Sequence, residues 1–244
     1  MLNEKEKERY SRQIISKSIG EEGQEKLSQT KVLQIGAGGL GSSCAFYLVA
    51  AGIGELTIID NDTVSLSNLH RQILYSEDDV GKDKVRIAEK RLTALNSNVT
   101  IYAHKEYVTE ESIQKYVQNK DFIVDCSDNM KTKFLANRIA VQEGIHCVIA
   151  GIKDFYGQII TVDPKTSACY QCVFSEPEME KISVTPLPVL GVTPGILGTM
   201  EALEVIKTVL GLPNLENKLL MVNLLDMSFN KIDVVKNDAC ICSH

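Results

Sequence analysis

The sequence predicts an α/β protein: a Rossmann-like, mostly parallel sheet continued by antiparallel strands in the C-terminal half, with helices at the N-terminus. Three observations predict it. Short apolar runs alternate with helix-length stretches between residues 31 and 150, a glycine-rich turn follows the first run directly, and after Gly151 apolar runs recur with one long helix among them. No Pro/Gly/Ser-rich linker separates the halves, so one continuous sheet is expected over 1–244. It divides into an arm at 1–30, a first half at 31–150 and a second half at 151–244.

Residues 4–28 are rich in Glu, Lys, Arg and Gln around Ile14, Ile15 and Leu27, which reads as one or two polar helices. Strands are predicted at 32–35, 56–59, 99–102, 122–124 and 147–149, then at 158–162, 219–224 and 232–235. Apolar residues at 196, 200, 203, 206 and 210 have a helical period and predict an amphipathic helix over 195–210.

The 244 residues include 44% hydrophobic ones, enough for one large core. A net charge of -6 disfavours nonspecific nucleic-acid binding, which needs a basic face. There is no apolar run of about 18 residues, and the opening MLNEKEKERYSRQ is charged, so no membrane partner is expected and the cytoplasm is the expected location. Seven cysteines in such a chain point away from a disulfide framework, towards burial, metal ligation or catalysis.

The strand at 32–35 runs into Gly36-Ala-Gly38-Gly39-Leu-Gly41 and then a helix, the context that a G-x-G-x-x-G turn needs. Gly36 permits the tight turn, Gly38 lets the backbone approach a phosphate, and the helix N-terminus offers free N–H groups. Asp60 ends the next strand, where a carboxylate can accept from ribose hydroxyls. NAD, FAD, SAM and ATP folds share this fingerprint. The segment from Asp60 and Asp62 through Asn68, Arg71 and Gln72 to Lys82 and Lys84 concentrates carboxylates, amides and cations, a mixture that suits a triphosphate better than a nicotinamide. An NAD-dependent dehydrogenase and a non-catalytic nucleotide-binding scaffold are the alternatives.

These residues resemble the ThiF/MoeB/HesA adenylyltransferases, bacterial relatives of ubiquitin-activating enzymes. The resemblance rests on Tyr10-Ser-Arg12-Gln13, the glycine turn at 36–42, Asp60-x-Asp62 with Ser67-Asn68-Leu-His-Arg71-Gln72, Gly81-Lys-x-Lys84, Asp125-Cys-Ser-Asp128-Asn129, Cys169-x-x-Cys172, and 198–207. It implies adenylation of the C-terminal glycine carboxylate of a small ubiquitin-like sulfur-carrier protein ending in Gly-Gly, ThiS- or MoaD-like, with ATP and Mg2+, in thiamin or molybdopterin biosynthesis. Another carboxylate, on a peptide or a modified tRNA, is the alternative substrate.

The same resemblance implies that Gly36, Gly38, Gly39 and Gly41 line the nucleotide and Asp60 holds the ribose. Asn68, Arg71, Gln72 and Lys84 grip the triphosphate, Arg12 reaches into the partner subunit of a homodimer, and Asp128, beside Asn129, binds magnesium. Asp62 and Asn129 complete the expected nucleotide set. Two departures stand out. The stretch 183–191 lacks the cysteine on which relatives build a covalent sulfur link, and lysine replaces the arginine usual after Asp128-Asn129.

Cys169-x-x-Cys172 and Cys240-x-Cys242 predict a structural zinc site tying the C-terminus to the body, with His244 as a possible substitute ligand. A redox pair and free structural cysteines are the other readings. Cys44, Cys126 and Cys147 fall in apolar contexts and are expected in the core.

Overall fold

The structure, a computed structural model, describes residues 2–176 and 188–243. One eight-stranded sheet runs through it. The strands are β1 (Lys31–Ile35), β2 (Glu55–Ile59), β3 (Thr100–His104), β4 (Phe122–Asp125), β5 (His146–Lys153), β6 (Tyr156–Val162), β7 (Lys218–Asn223) and β8 (Ser228–Asp233), in the order β3-β2-β1-β4-β5-β6-β7-β8. Pairing is parallel from β3 through β5 and antiparallel from β5 through β8. The boundary expected at 150 falls inside β5, which belongs to both regimes, and this is why no linker was needed. The last strand starts at Ser228, not at 232, because it is set by its hairpin with β7, and its own burial is slight.

The arm folds as three short helices, one more than the upper expectation: α1 (Glu4–Arg9), α2 (Ser11–Ile14) and α3 (Gly20–Gln29). Asn3 and Glu6 form a capping box on α1, and Tyr10 ends the helix with its ring buried, its N–H donating to the Glu6 carbonyl at 2.9 Å and its hydroxyl accepting from Asn96 Nδ2 at 2.8 Å. Gln24 and Gln13 both donate to the Ala51 carbonyl, which fastens the arm to the body.

Helices α4 (Gly39–Ala51), α5 (Lys84–Leu95) and α9 (Val192–Val209) cover one sheet face, while α6 (Glu110–Val117), α7 (Met130–Glu143) and the single turn α8 (Tyr170–Val173) cover the other. Both faces of β1 and β4 are therefore buried, so their sequences read as continuous apolar runs. Full burial of residues such as Leu33, Ile35 or Val124 contributes about 1.5–3 kcal/mol each.

The helical period read at 196, 200, 203, 206 and 210 identifies the helix but not its core face. The buried face of α9 carries Thr193, Pro194, Leu197, Gly198, Glu201, Ala202, Glu204 and Val205, whereas Ile196 and Leu203 are exposed. Close approach of α9 to α4 decides this: a Cβ on Gly198 would lie 2.1 Å from the Leu40 carbonyl oxygen. Glu204 is tolerated inside because Thr161 Oγ1 and the Leu215 N–H each donate to its Oε2 at 2.7 Å.

Candidate functional site

The strand order reverses direction between β1 and β4, so the loops at their C-terminal ends diverge and leave a crevice. The glycine turn follows β1, and Cys126 to Asn129 follow β4. Gly36 adopts φ +93°, and Gly41 is locked by packing: a Cβ there would sit 2.2 Å from the Gly36 carbonyl oxygen. Gly38 is the N-cap of α4 and carries no side-chain cap, so the first N–H groups of the helix are left for an anion.

The turn is held from below by groups that composition and spacing do not reveal. Gln34, buried in β1, donates Nε2 to the carbonyls of Gly36 and Gly41 at 2.9 and 3.2 Å. Tyr75 donates its hydroxyl to the Ala37 carbonyl at 2.8 Å, and burial raises that phenol far above its ordinary range. The one sequence signal for Gln34 was a polar residue inside a strand that is apolar on both faces.

Asp60 follows β2 and accepts from the Ala37 N–H at 2.8 Å with one oxygen and from the Asp62 N–H at 2.8 Å with the other. It is thus seated against the turn with lone pairs to spare for a hydroxyl. Asp62 pairs with Lys84, whose Nζ lies 2.8 Å from its carboxylate; the lysine is buried and the aspartate exposed.

Residues 66–72 fold over the same turn. Asn68 closes a 3-10 turn by accepting from the Ser65 N–H at 3.1 Å, and Arg71 donates to the Ser67 carbonyl at 2.9 Å and meets His70 Nε2 at 2.8 Å. Gln72 is buried beside the glycines: a Cβ on Gly38 would lie 3.7 Å from its Nε2, and one on Gly39 3.6 Å from the Arg71 carbonyl oxygen. Its Oε1 has no partner among the described residues.

Asp128 is exposed at the mouth of the crevice, while Asn129 is spent locally as the N-cap of α7, accepting from the Thr132 N–H at 2.9 Å. Lys133, buried, does not face the crevice. Its Nζ donates to Asp125 Oδ2 at 2.8 Å, to the Ser127 carbonyl at 2.8 Å and to the Ala150 carbonyl at 2.6 Å, pinning the loop that carries Asp128. Burial works to lower its pKa, but the Asp125 carboxylate outweighs that and keeps the ammonium charged.

Beneath this loop the Cys126 thiol lies 3.3 Å from Glu201 Oε2, and burial lifts the Glu201 carboxyl to about 8. Cys44 and Cys147 are buried as expected, and burial likewise raises their thiols. Arg12 stands exposed on α2, apart from every contact just described.

On the far side of the sheet, the four thiols Cys169, Cys172, Cys240 and Cys242 lie within 4.8 Å of one another, with Cys169–Cys240 and Cys172–Cys242 both at 3.5 Å. Sulfurs on the edge of a tetrahedron around an ion at about 2.3 Å are roughly 3.8 Å apart, so the set fits one ion. The short Cys-x-Cys bite is relieved by a 3-10 turn over Ile241–Ser243 that sends its two sulfurs to different partners. The Asn237 N–H meets Cys172 Sγ at 3.4 Å and Asn137 Nδ2 meets Cys169 Sγ at 3.5 Å, the outer contacts that a thiolate needs. Burial opposes ionisation of Cys172, yet the N–H groups around it bring its thiol below the ordinary value. His244 lies outside the described residues, as do 183–187 of the stretch 183–191.

The ThiF family profile matches residues 10–243. The chain is 39% identical over 243 residues to the sulfur carrier protein adenylyltransferase of Thermus thermophilus, covering 96% of this chain and 90% of that one. It is 36% identical over 212 residues to the sulfur carrier protein ThiS adenylyltransferase of Escherichia coli, covering 86% and 84%. Among solved structures, Escherichia coli MccB with ATP superposes with a TM-score of 0.82 at 25% identity, over 91% of this chain and 68% of that one.

Proposed function

This chain belongs to the ThiF family, and on that premise we propose that it adenylates the C-terminal carboxylate of a small ubiquitin-like sulfur-carrier protein ending in Gly-Gly. The observation that carries the reading is the junction of the Gln34-pinned glycine turn with the 66–72 fold and Lys84, which brings free helix N–H groups, amides and cations to one crevice.

The carrier carboxylate attacks the α-phosphorus of ATP; a carboxylate-oxygen-to-phosphorus bond forms, the bond from that phosphorus to the bridging oxygen breaks, and pyrophosphate leaves with the electron pair. A carboxylate is already a nucleophile, so the crevice needs no base. Its residues align the reactants and neutralise charge. Asp60 takes the ribose hydroxyls; the N–H groups of α4 with Asn68 and Gln72 take phosphate oxygens; Arg71 and Lys84 take the developing pyrophosphate charge. Triphosphate would draw Lys84 from Asp62, which being exposed is left in water at little cost.

Asp128 stands exposed at the crevice without an ion-pair partner among the described residues and would hold magnesium, whose charge offsets that of the phosphates. Cys169, Cys172, Cys240 and Cys242 would hold a structural zinc. The functional unit is a homodimer into whose facing site Arg12 reaches, and the exposed stripe of Val192, Ile196 and Leu203 on α9 supports an uncovered subunit surface. Among the described residues no helix is long and apolar enough to cross a membrane, in keeping with action in the cytoplasm.

ATP–pyrophosphate exchange with magnesium, with and without Gly-Gly-ending carriers, tests the reading. Exchange that requires one carrier is expected, and Asp128→Ala should lower it by about 10²-fold or more without lowering the melting temperature. Exchange with no carrier of either the ThiS or the MoaD type would remove the carrier reading, and a fully active Asp128→Ala variant would remove Asp128 from the mechanism.

A further inference from the structure

A second group of ligand atoms lies at the end of the sheet opposite the crevice. β5 and β6 pair with Cys147 opposite Val162, so His146 and Asp163 face each other one step further along the same antiparallel pair. On its other side His146 is the register partner of Phe122, and the two rings stack with centroids 5.2 Å apart. Glu216 reaches the same row because its backbone bridges Thr161 of β6 just before β7 begins. A ring nitrogen of His146 and one carboxylate oxygen each from Asp163 and Glu216 lie within 4.8 Å of one another, and all three residues are half-exposed.

The three make no hydrogen bond or ion pair with one another, and among the described residues neither carboxylate pairs with a lysine or arginine. Each is nevertheless held. Asp163 accepts from the Lys165 N–H and from Thr166 Oγ1, both at 2.8 Å. Glu216 Oε1 accepts from Asn214 Nδ2 at 2.7 Å, and the same amide donates to Thr208 Oγ1 at 3.0 Å in the last turn of α9. Thr208 and Val209 line one open groove with His146. Lys26 and Lys120 line the same groove but are paired with Glu22 and Glu55, so the negative end of an 18-residue helix is added to two carboxylates that no lysine or arginine among the described residues pairs.

Side chains too far apart to bond one another, fixed from outside and sharing a surplus of negative charge, are spaced for an ion between them. Ligands on an ion at about 2.0–2.2 Å stand roughly 3–4 Å apart, a closure that half-exposed side chains make by small rotations. We propose that His146, Asp163 and Glu216 form a binding site for a divalent first-row transition ion of the zinc type, with water completing its shell. The imidazole selects against magnesium and calcium. A bound ion ties β5, β6 and the segment entering β7 to the end of α9. The inference is independent of the adenylation reading, because none of these residues touches the crevice.

The test uses the full chain with its four-cysteine site first loaded with zinc, and Co2+ as the probe in equilibrium dialysis. The wild type should take up one equivalent of Co2+ more than His146→Ala, and that ion should show ligand-field absorption without thiolate charge transfer. Glu216→Gln, a milder change, should weaken the extra uptake about tenfold or more, and it serves as the comparison if His146→Ala melts early. Equal uptake by the wild type and the variants, or cobalt that appears only with thiolate charge transfer, would overturn the site.

Discussion

Glu201 illustrates how one side chain couples the core to pH. It has no solvent exposure, and burial raises its carboxyl from 4.5 to about 8, opposed by Lys133 and reinforced by Asp125. Between those values the folded chain keeps a proton that the unfolded chain has released, so this contribution to stability is whole below about pH 4.5 and declines as pH rises towards 8. Glu201→Gln removes the titration at nearly constant shape. Thermal melts from about pH 5 to about 8 should show a flatter dependence for the variant than for the wild type, with the largest gain at the alkaline end; parallel curves would mean that Glu201 is ionised in the fold. Gln34 and Tyr75 act at the same scale, Gln34 fixing the Gly36 and Gly41 carbonyls and Tyr75 that of Ala37, and neither has a spacing that marks it, since a single polar residue has no period to read.

At the scale of the element, β8 is held by its hairpin with β7, whereas the segment after it is fastened by Cys240 and Cys242 against Cys169 and Cys172. If zinc joins them, Cys242→Ser or chelation should release bound zinc, lower the melting temperature and expose the chain after about residue 234 to protease before the rest of the sheet is cut. Unchanged zinc content in Cys242→Ser would exclude that cysteine from the ligand set. The cysteine spacing identified the site, but the pairing across the two motifs depends on the 3-10 turn at Ile241–Ser243, which a three-residue signal is too short to predict. For α9 the period gave the helix but not its core face, which close packing of Gly198 on Leu40 and satisfied acids set instead.

For the whole molecule, the proposed homodimer places the exposed Arg12 in the facing site and makes a prediction of its own. Arg12→Ala and Asp128→Ala homodimers should each be inactive in carrier-dependent exchange. Mixing and re-equilibrating them should restore up to about a quarter of wild-type activity, since half the dimers are mixed and each carries one intact site. No recovery on mixing would place Arg12 outside the facing site.

The sequence by itself determined the α/β class, the glycine turn with its acid and the four cysteines, because each is written in local period or in short spacing along the chain; the family came from the resemblance of its ordered motifs, and the single sheet from the absence of a linker. Only the tertiary structure decided which face of α9 is core, that Lys133 serves the loop from within instead of facing the crevice, and that His146, Asp163 and Glu216 share a row. Those outcomes depend on register and close approach between segments far apart in sequence, where packing and burial, and not the local pattern, set the energy.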